Sequence, residues 1–129
     1  MAQAMIHQNN TVIVVLDDLM FMVKIQEALK RVGLSGVFVK SQEEALAKAR
    51  AGASLIILDL NYAKAGPLET IAKLKSEAVT SSIPLVGYVS HVQVELRHAA
   101  ADKGCDTVLA RSAFVQNLQE LLTRYAPVS

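Results

Sequence analysis

The chain has 129 residues, of which 52% are hydrophobic and only 5% aromatic, so one compact domain with a mostly aliphatic core is expected. Lys and Arg total 13 against 12 acidic residues, a formal charge of +1, and no run of basic side chains occurs, which argues against binding nucleic acid or an anionic membrane through bulk charge. The lone cysteine, Cys105, excludes an internal disulfide framework and any multi-cysteine metal site.

The opening MAQAMIHQNN, residues 1–10, is expected to be a tail that carries His7; it has neither the basic start nor the apolar stretch of a signal peptide. No apolar run approaches the roughly 18 residues of a membrane span, so a cytoplasmic location is expected. Val12–Leu16 reads as a first strand and runs directly into Asp17 and Asp18. Met22, Ile25, Leu29 and Val32 then step at helical spacing and stop at Gly33. A second strand, Val37–Val39, precedes SQEEALAKARAG, which opens on the capping box Ser41 to Glu44 and closes at Gly52.

The third strand, Leu55–Leu58, ends at Asp59. Leu68, Ile71 and Leu74 line a third helix, and Ser81, Ser82 and Pro84 mark the loop after it. Leu85–Val89 follows as a fourth strand, with a fourth helix from about Val92 to Lys103 that stops at Gly104. Thr107–Ala110 is the fifth strand. A last helix begins after Ser112, which would be its N-cap, and carries Phe114, Leu118, Leu121 and Tyr125 on one face. Short apolar strands alternating with helices predict an α/β fold, a five-stranded parallel sheet with helices on both faces, spanning residues 11–125 and leaving 126–129 as a tail.

In such a sheet, functional groups gather beyond the carboxyl ends of the strands, where strand order reverses. In the flavodoxin-like order 2-1-3-4-5 the first and third strands are neighbours, so Asp17, Asp18 and Asp59 converge on one rim. Three carboxylates together repel one another unless a cation joins them or one retains its proton, so at least one pKa should be raised. An oxygen-only set with open positions suits Mg²⁺. Each acid taken alone has a simpler role, as an N-cap or a helix-dipole partner.

The segments VVLDD, LIILDLN, IPLVGYVSH and ADKGCDTVLARSAF together resemble the receiver domain of bacterial two-component response regulators, over about residues 11 to 125. The resemblance implies that Asp59 accepts a phosphoryl group from a phosphohistidine on a sensor histidine kinase or phosphotransfer protein. It implies that Asp17 and Asp18 hold Mg²⁺ with Asp59, and that the backbone carbonyl of Asn61 completes the protein ligands. Arg111 and Ser112 stand where the family usually has Lys and Pro, so Arg111 would contact the phosphate. Counting from Pro84 and Gly104 puts Val89 at the family's switch hydroxyl, with Ser90 one residue later, and Val108 replaces the aromatic that follows it. The relay that reports phosphorylation is therefore altered while the acidic pocket is kept.

Three functions remain open on this reading. The first is a stand-alone phosphoacceptor domain in a phosphorelay, whose output passes through a downstream protein partner or a second copy of itself. The second is a receiver-like interaction module that does not switch by phosphorylation. The third is a small α/β enzyme or flavin carrier, against which the absence of a phosphate-cradling glycine loop and of a nucleophile–base pair argues. The first two readings both expect no enzyme. His91, Glu95 and His98 share one side of the fourth helix without a zinc-binding pattern, and Cys105 reads as a small buried residue near a turn.

Overall fold

The computed structural model describes residues 10–90 and 93–127. Five parallel strands lie in the order β2-β1-β3-β4-β5: β1 Thr11–Val15, β2 Ser35–Val39, β3 Leu55–Asp59, β4 Leu85–Val89 and β5 Thr107–Ala110. The helices are α1 Leu19–Arg31, α2 Gln42–Arg50, α3 Pro67–Ser76, α4 Val94–Lys103, α5 Arg111–Gln116 and α6 Leu118–Thr123, with a short 3₁₀ turn at Ala63–Ala65. The strand order and doubly wound layers are those expected from the sequence.

Two apolar layers form because successive strand residues point to opposite faces. On one face Val12, Val14, Leu55, Ile57, Val86 and Tyr88 pack under α1, α5 and α6. On the other, Ile13, Val15, Ile56, Leu58, Leu85 and Val89 pack under α2, α3 and α4. The three central strands are therefore covered on both sides, which explains their unbroken apolar runs.

The caps follow the local chemistry. Ser41 Oγ accepts the Glu44 N–H at 3.1 Å, and Glu44 Oε1 reaches back to the N–H of Lys40 rather than to that of Ser41. Val32 is the C-cap of α1 rather than its last helical residue; Gly33 follows at φ 80° and Leu34 N–H bonds to Leu29 O, closing the helix.

The last helix departs from expectation twice. It starts at Arg111, capped by Ala110, so Ser112 lies inside the first turn and caps nothing. The cause is register: Val89↔Ala110 is the last β4–β5 pair, and the chain turns helical at the next residue. It is also divided at Asn117, whose Nδ2 bonds to the Ala113 carbonyl at 2.9 Å and competes with the helical ladder. α4 begins at Val94; Val92 and His91 lie outside the described residues, as does His7. No helix among the described residues is long and apolar enough to cross a membrane.

Gly87 has a specific role beside the rim. A Cβ there would come within 2.9 Å of Leu60, the residue after Asp59, whose N–H bonds to the carbonyl of Tyr88 at 2.9 Å. The bare backbone at Gly87 lets Leu60 lie flat on β4, and this anchors the loop that follows Asp59.

Candidate functional site

Asp59 is the last residue of β3 and is half-buried. Its Oδ1 accepts the N–H of Asn61 at 2.9 Å, the self-bonding turn that Asp favours after a strand. Asn61 spans the gap to β4: its Oδ1 accepts from Ser90 N at 2.6 Å, and its Nδ2 donates to Gln93 Oε1 at 2.7 Å. The Asn61 carbonyl accepts the N–H of Ala63 at 3.0 Å. A carbonyl has a second lone pair, so this bond does not bar it from a cation.

Asp18 is the N-cap of α1, with Oδ1 accepting the Phe21 N–H at 3.0 Å. Its other oxygen takes a hydrogen bond from the guanidinium of Arg111 at 2.7 Å. That guanidinium also lies 4.3 Å from the centroid of the Phe21 ring, a cation–π contact. Arg111 thus reaches the site from the first residue of α5 and is fixed by a charge and a ring from α1.

Asp17 does not join its neighbour. It is exposed, and its carboxylate pairs with Lys40 just past β2 at 3.3 Å. The expected convergence of three acids is therefore corrected to two: among the described residues no group of three metal-ligating side chains forms. Asp18 is held as the cap of α1 and by Arg111, while the exposed Asp17 is drawn to Lys40 past β2.

Electrostatics separate the two remaining acids. The Asp18 carboxyl is held below its ordinary range, first by the Phe21 N–H and then by Arg111. Asp59 is pushed above its ordinary range chiefly by burial; the nearby charge of Asp18 adds to this, while Asn61 and Arg111 oppose it. A raised carboxyl was expected, but burial rather than acid–acid repulsion is its main cause.

The donor chemistry fits a hard divalent cation. Asp18, Asp59 and the Asn61 carbonyl offer oxygen only, and a cation that keeps several waters needs few protein ligands. Asp18 Oδ2 already accepts from Arg111, so a cation there competes with the guanidinium for the charge of that oxygen.

The expected switch residues sit differently. Val89 belongs to the layer under α2, α3 and α4, whereas Asp59 continues the alternation of Leu55 and Ile57 on the other face. Asp59 pairs in register with Tyr88, so Tyr88 is the β4 residue on its face. Val89 closes β4 five residues after Pro84 and, by the alternation of the strand, turns to the face away from Asp59. Ser90, exposed just past β4, meets Asn61 through its backbone N–H. Val108 is half-buried against the opposite layer, and its carbonyl faces Arg97 at 3.5 Å. Glu95 and His98 are both exposed on α4.

Sequence reasoning missed Tyr88, Phe21 and Gln93. For Tyr88 the signal was present in the period of two that relates it to Val86 and, across the sheet, to Asp59. For Phe21 and Gln93 no local signal existed, since their partners lie on distant segments.

No protein-family model matches the chain, and no curated protein sequence matches it. Solved structures do. The chain resembles the phosphorylated cyanobacterial phytochrome response regulator RcpA at 26% identity, covering 90% of each chain, with a TM-score of 0.75. A response regulator from Hahella chejuensis aligns over 91% of this chain and 95% of its own, with a TM-score of 0.82 and 20% identity. The receiver domain of the Pseudomonas aeruginosa sensor histidine kinase PA1611, solved with magnesium in its active-site cleft, aligns over 91% and 97%, with a TM-score of 0.78 and 16% identity. The chain has the flavodoxin-like fold of response-regulator receiver domains, with Asp59 at the carboxyl end of the central strand.

Proposed function

We propose that the chain is a phosphoacceptor domain of a two-component phosphorelay, taking a phosphoryl group on Asp59. The observation that carries this reading is the placement of one half-buried carboxylate at the end of β3, within reach of the charges of the Asp18–Arg111 pair. In the transfer, an Asp59 carboxylate oxygen attacks phosphorus of a phosphohistidine. The P–O bond forms as the P–N bond breaks, and the imidazole nitrogen leaves with the electron pair. The Asn61 N–H holds Oδ1, which leaves Oδ2 to attack.

Asp18, Asp59 and the Asn61 carbonyl would hold Mg²⁺, which when bound neutralises phosphoryl charge and orients the oxygens. Arg111, once released from Asp18, supplies a forked cation to the same oxygens. The chain receives a group from its partner and passes on a state, so it is no enzyme in the turnover sense.

The donor is a sensor histidine kinase or a phosphotransfer protein, and the output is a downstream protein partner. Leu19, Met20 and Val23, which are 69%, 81% and 50% exposed on the first turns of α1, give a docking protein an apolar foothold beside Asp18. Phosphotransfer needs such a partner to bring its histidine over the rim.

The test is intact-mass measurement after incubation with Mg²⁺ and a small acyl phosphate. One added phosphoryl group on the wild type and none on Asp59→Asn is expected. A phosphoryl group retained by Asp59→Asn overturns the assignment. The second reading, an interaction module that does not switch, draws support from the Asp18–Arg111 pair, in which a side chain already neutralises a ligand acid. It is the outcome if the wild type gains no mass.

A further inference from the structure

Among the described residues Tyr88 is the largest fully buried side chain of the core, at 1% exposure, yet its hydroxyl has no hydrogen-bond partner among them. Such a group is costly: a buried donor without a partner loses its water and gains nothing in return. The core does not force a tyrosine here, since a phenylalanine would fill the same space without the orphaned oxygen.

The ring is firmly placed. It lies 4.8 Å from Phe114 in a stacked arrangement and 5.0 Å from Phe21 in a tilted one. Phe21 in turn lies under the Arg111 guanidinium, which holds Asp18. On the sheet, Tyr88 is the register partner of Asp59 and shares its face. Burial first, and then the charges of Asp59 and Asp18, push the phenol above its ordinary range against the opposing charge of Arg111, so it stays protonated and able to donate.

We propose that the Tyr88 hydroxyl is a ligand-contacting donor of this site, meeting an oxygen of a phosphoryl group carried on Asp59. The assignment rests on the phosphoacceptor reading and deepens it. A strand-borne phenol from the β4 position paired with Asp59 supplies the hydroxyl that Val89 lacks. The clamp of Phe21 and Phe114 holds it ready, so the bond needs little side-chain ordering. The phosphoryl oxygens would then meet Tyr88 from the sheet and Arg111 from α5, and both lean on the ring of Phe21.

The experiment uses beryllofluoride, a phosphoryl mimic, with Mg²⁺ on the full chain. Affinity is measured by calorimetry for the wild type, Tyr88→Phe and Val89→Ala, and the Cζ resonance of ¹³C-labelled tyrosine is followed in the wild type. Losing a hydrogen bond to a charged oxygen should weaken mimic binding in Tyr88→Phe by roughly tenfold or more. Thermal stability should not fall, because only an unsatisfied hydroxyl is removed. Val89→Ala, altered on the opposite face, should bind like the wild type, and the Tyr88 Cζ signal should move on binding. Equal affinities of wild type and Tyr88→Phe, or a Tyr88 signal that stays in place, overturn the assignment alone. Failure of the wild type to bind the mimic at all overturns the phosphoacceptor reading and this assignment with it.

Discussion

Arg111 reaches Asp18 at 2.7 Å across 93 positions of sequence, closing an ion pair over the mouth of the site from the start of α5 to the cap of α1. The pair is half-exposed, so its own contribution to stability is small. Its effect on ligands is larger, because the guanidinium competes with a cation for the charge of Asp18 Oδ2.

Arg111→Gln should therefore bind Mg²⁺ or Mn²⁺ more tightly than the wild type. A half-exposed ion pair contributes up to about 1 kcal/mol, so the gain should be about two- to fivefold. Titration followed by the paramagnetic signal of Mn²⁺ measures it directly. An affinity that is unchanged or lower in Arg111→Gln contradicts competition between the guanidinium and the cation.

Asp18→Ala removes both the cap of α1 and the partner of Arg111. Loss of an N-cap costs about 1 kcal/mol, and the melting temperature at neutral pH should fall accordingly. Because the folded protein holds this carboxyl below its ordinary range, its stabilisation is present above that range and fades as the pH falls through the lowered value. The deficit of Asp18→Ala should thus be largest near neutrality and shrink in acid. A deficit constant with pH would show that the charge on Asp18 contributes nothing.

Asp59 has the opposite sign. Burial raises its carboxyl, so the folded state favours the proton and loses stability as the pH rises past the ordinary carboxylate value. Asp59→Asn keeps the shape and removes the buried charge. It should unfold at higher urea concentration than the wild type at neutral pH with an unchanged m-value, and the two should converge in acid. A neutral-pH midpoint below that of the wild type contradicts this picture.

The response to a phosphoryl group should run toward α1 and α5 rather than along α4 and β5. Val89 faces the layer away from Asp59, and Val108 has no ring to rotate, so a relay from the site toward α4 lacks its parts. Phe21, Tyr88 and Phe114 form the packed chain of rings on the Asp59 face. Amide spectra with Mg²⁺ and beryllofluoride should show their largest shifts in residues 17–25 and 110–116. Large shifts confined to Val94 through Leu109 would mean that the signal leaves through the other layer.

Period-two and period-3.6 patterns are local properties of the chain, so the alternation of apolar strands and helices, and from it the parallel sheet, was legible in the residues alone. The sequence also placed Asp18 and Asp59 at strand ends, and it found the capping box at Ser41. What it could not decide was which way side chains turn once strands are in register. Whether Asp17 faces Lys40 or Asp59, and whether Val89 or Tyr88 shares the face of Asp59, depends on pairings such as Asp59↔Tyr88 that join segments far apart in sequence. A shift of one residue in such a pairing exchanges the two faces, and no local feature of the β4 segment states which pairing holds. The Arg111–Asp18 pair and the rings beneath it belong to the same class. They exist only because α1 and α5 pack side by side on one layer of the sheet, and only the tertiary structure brings them together.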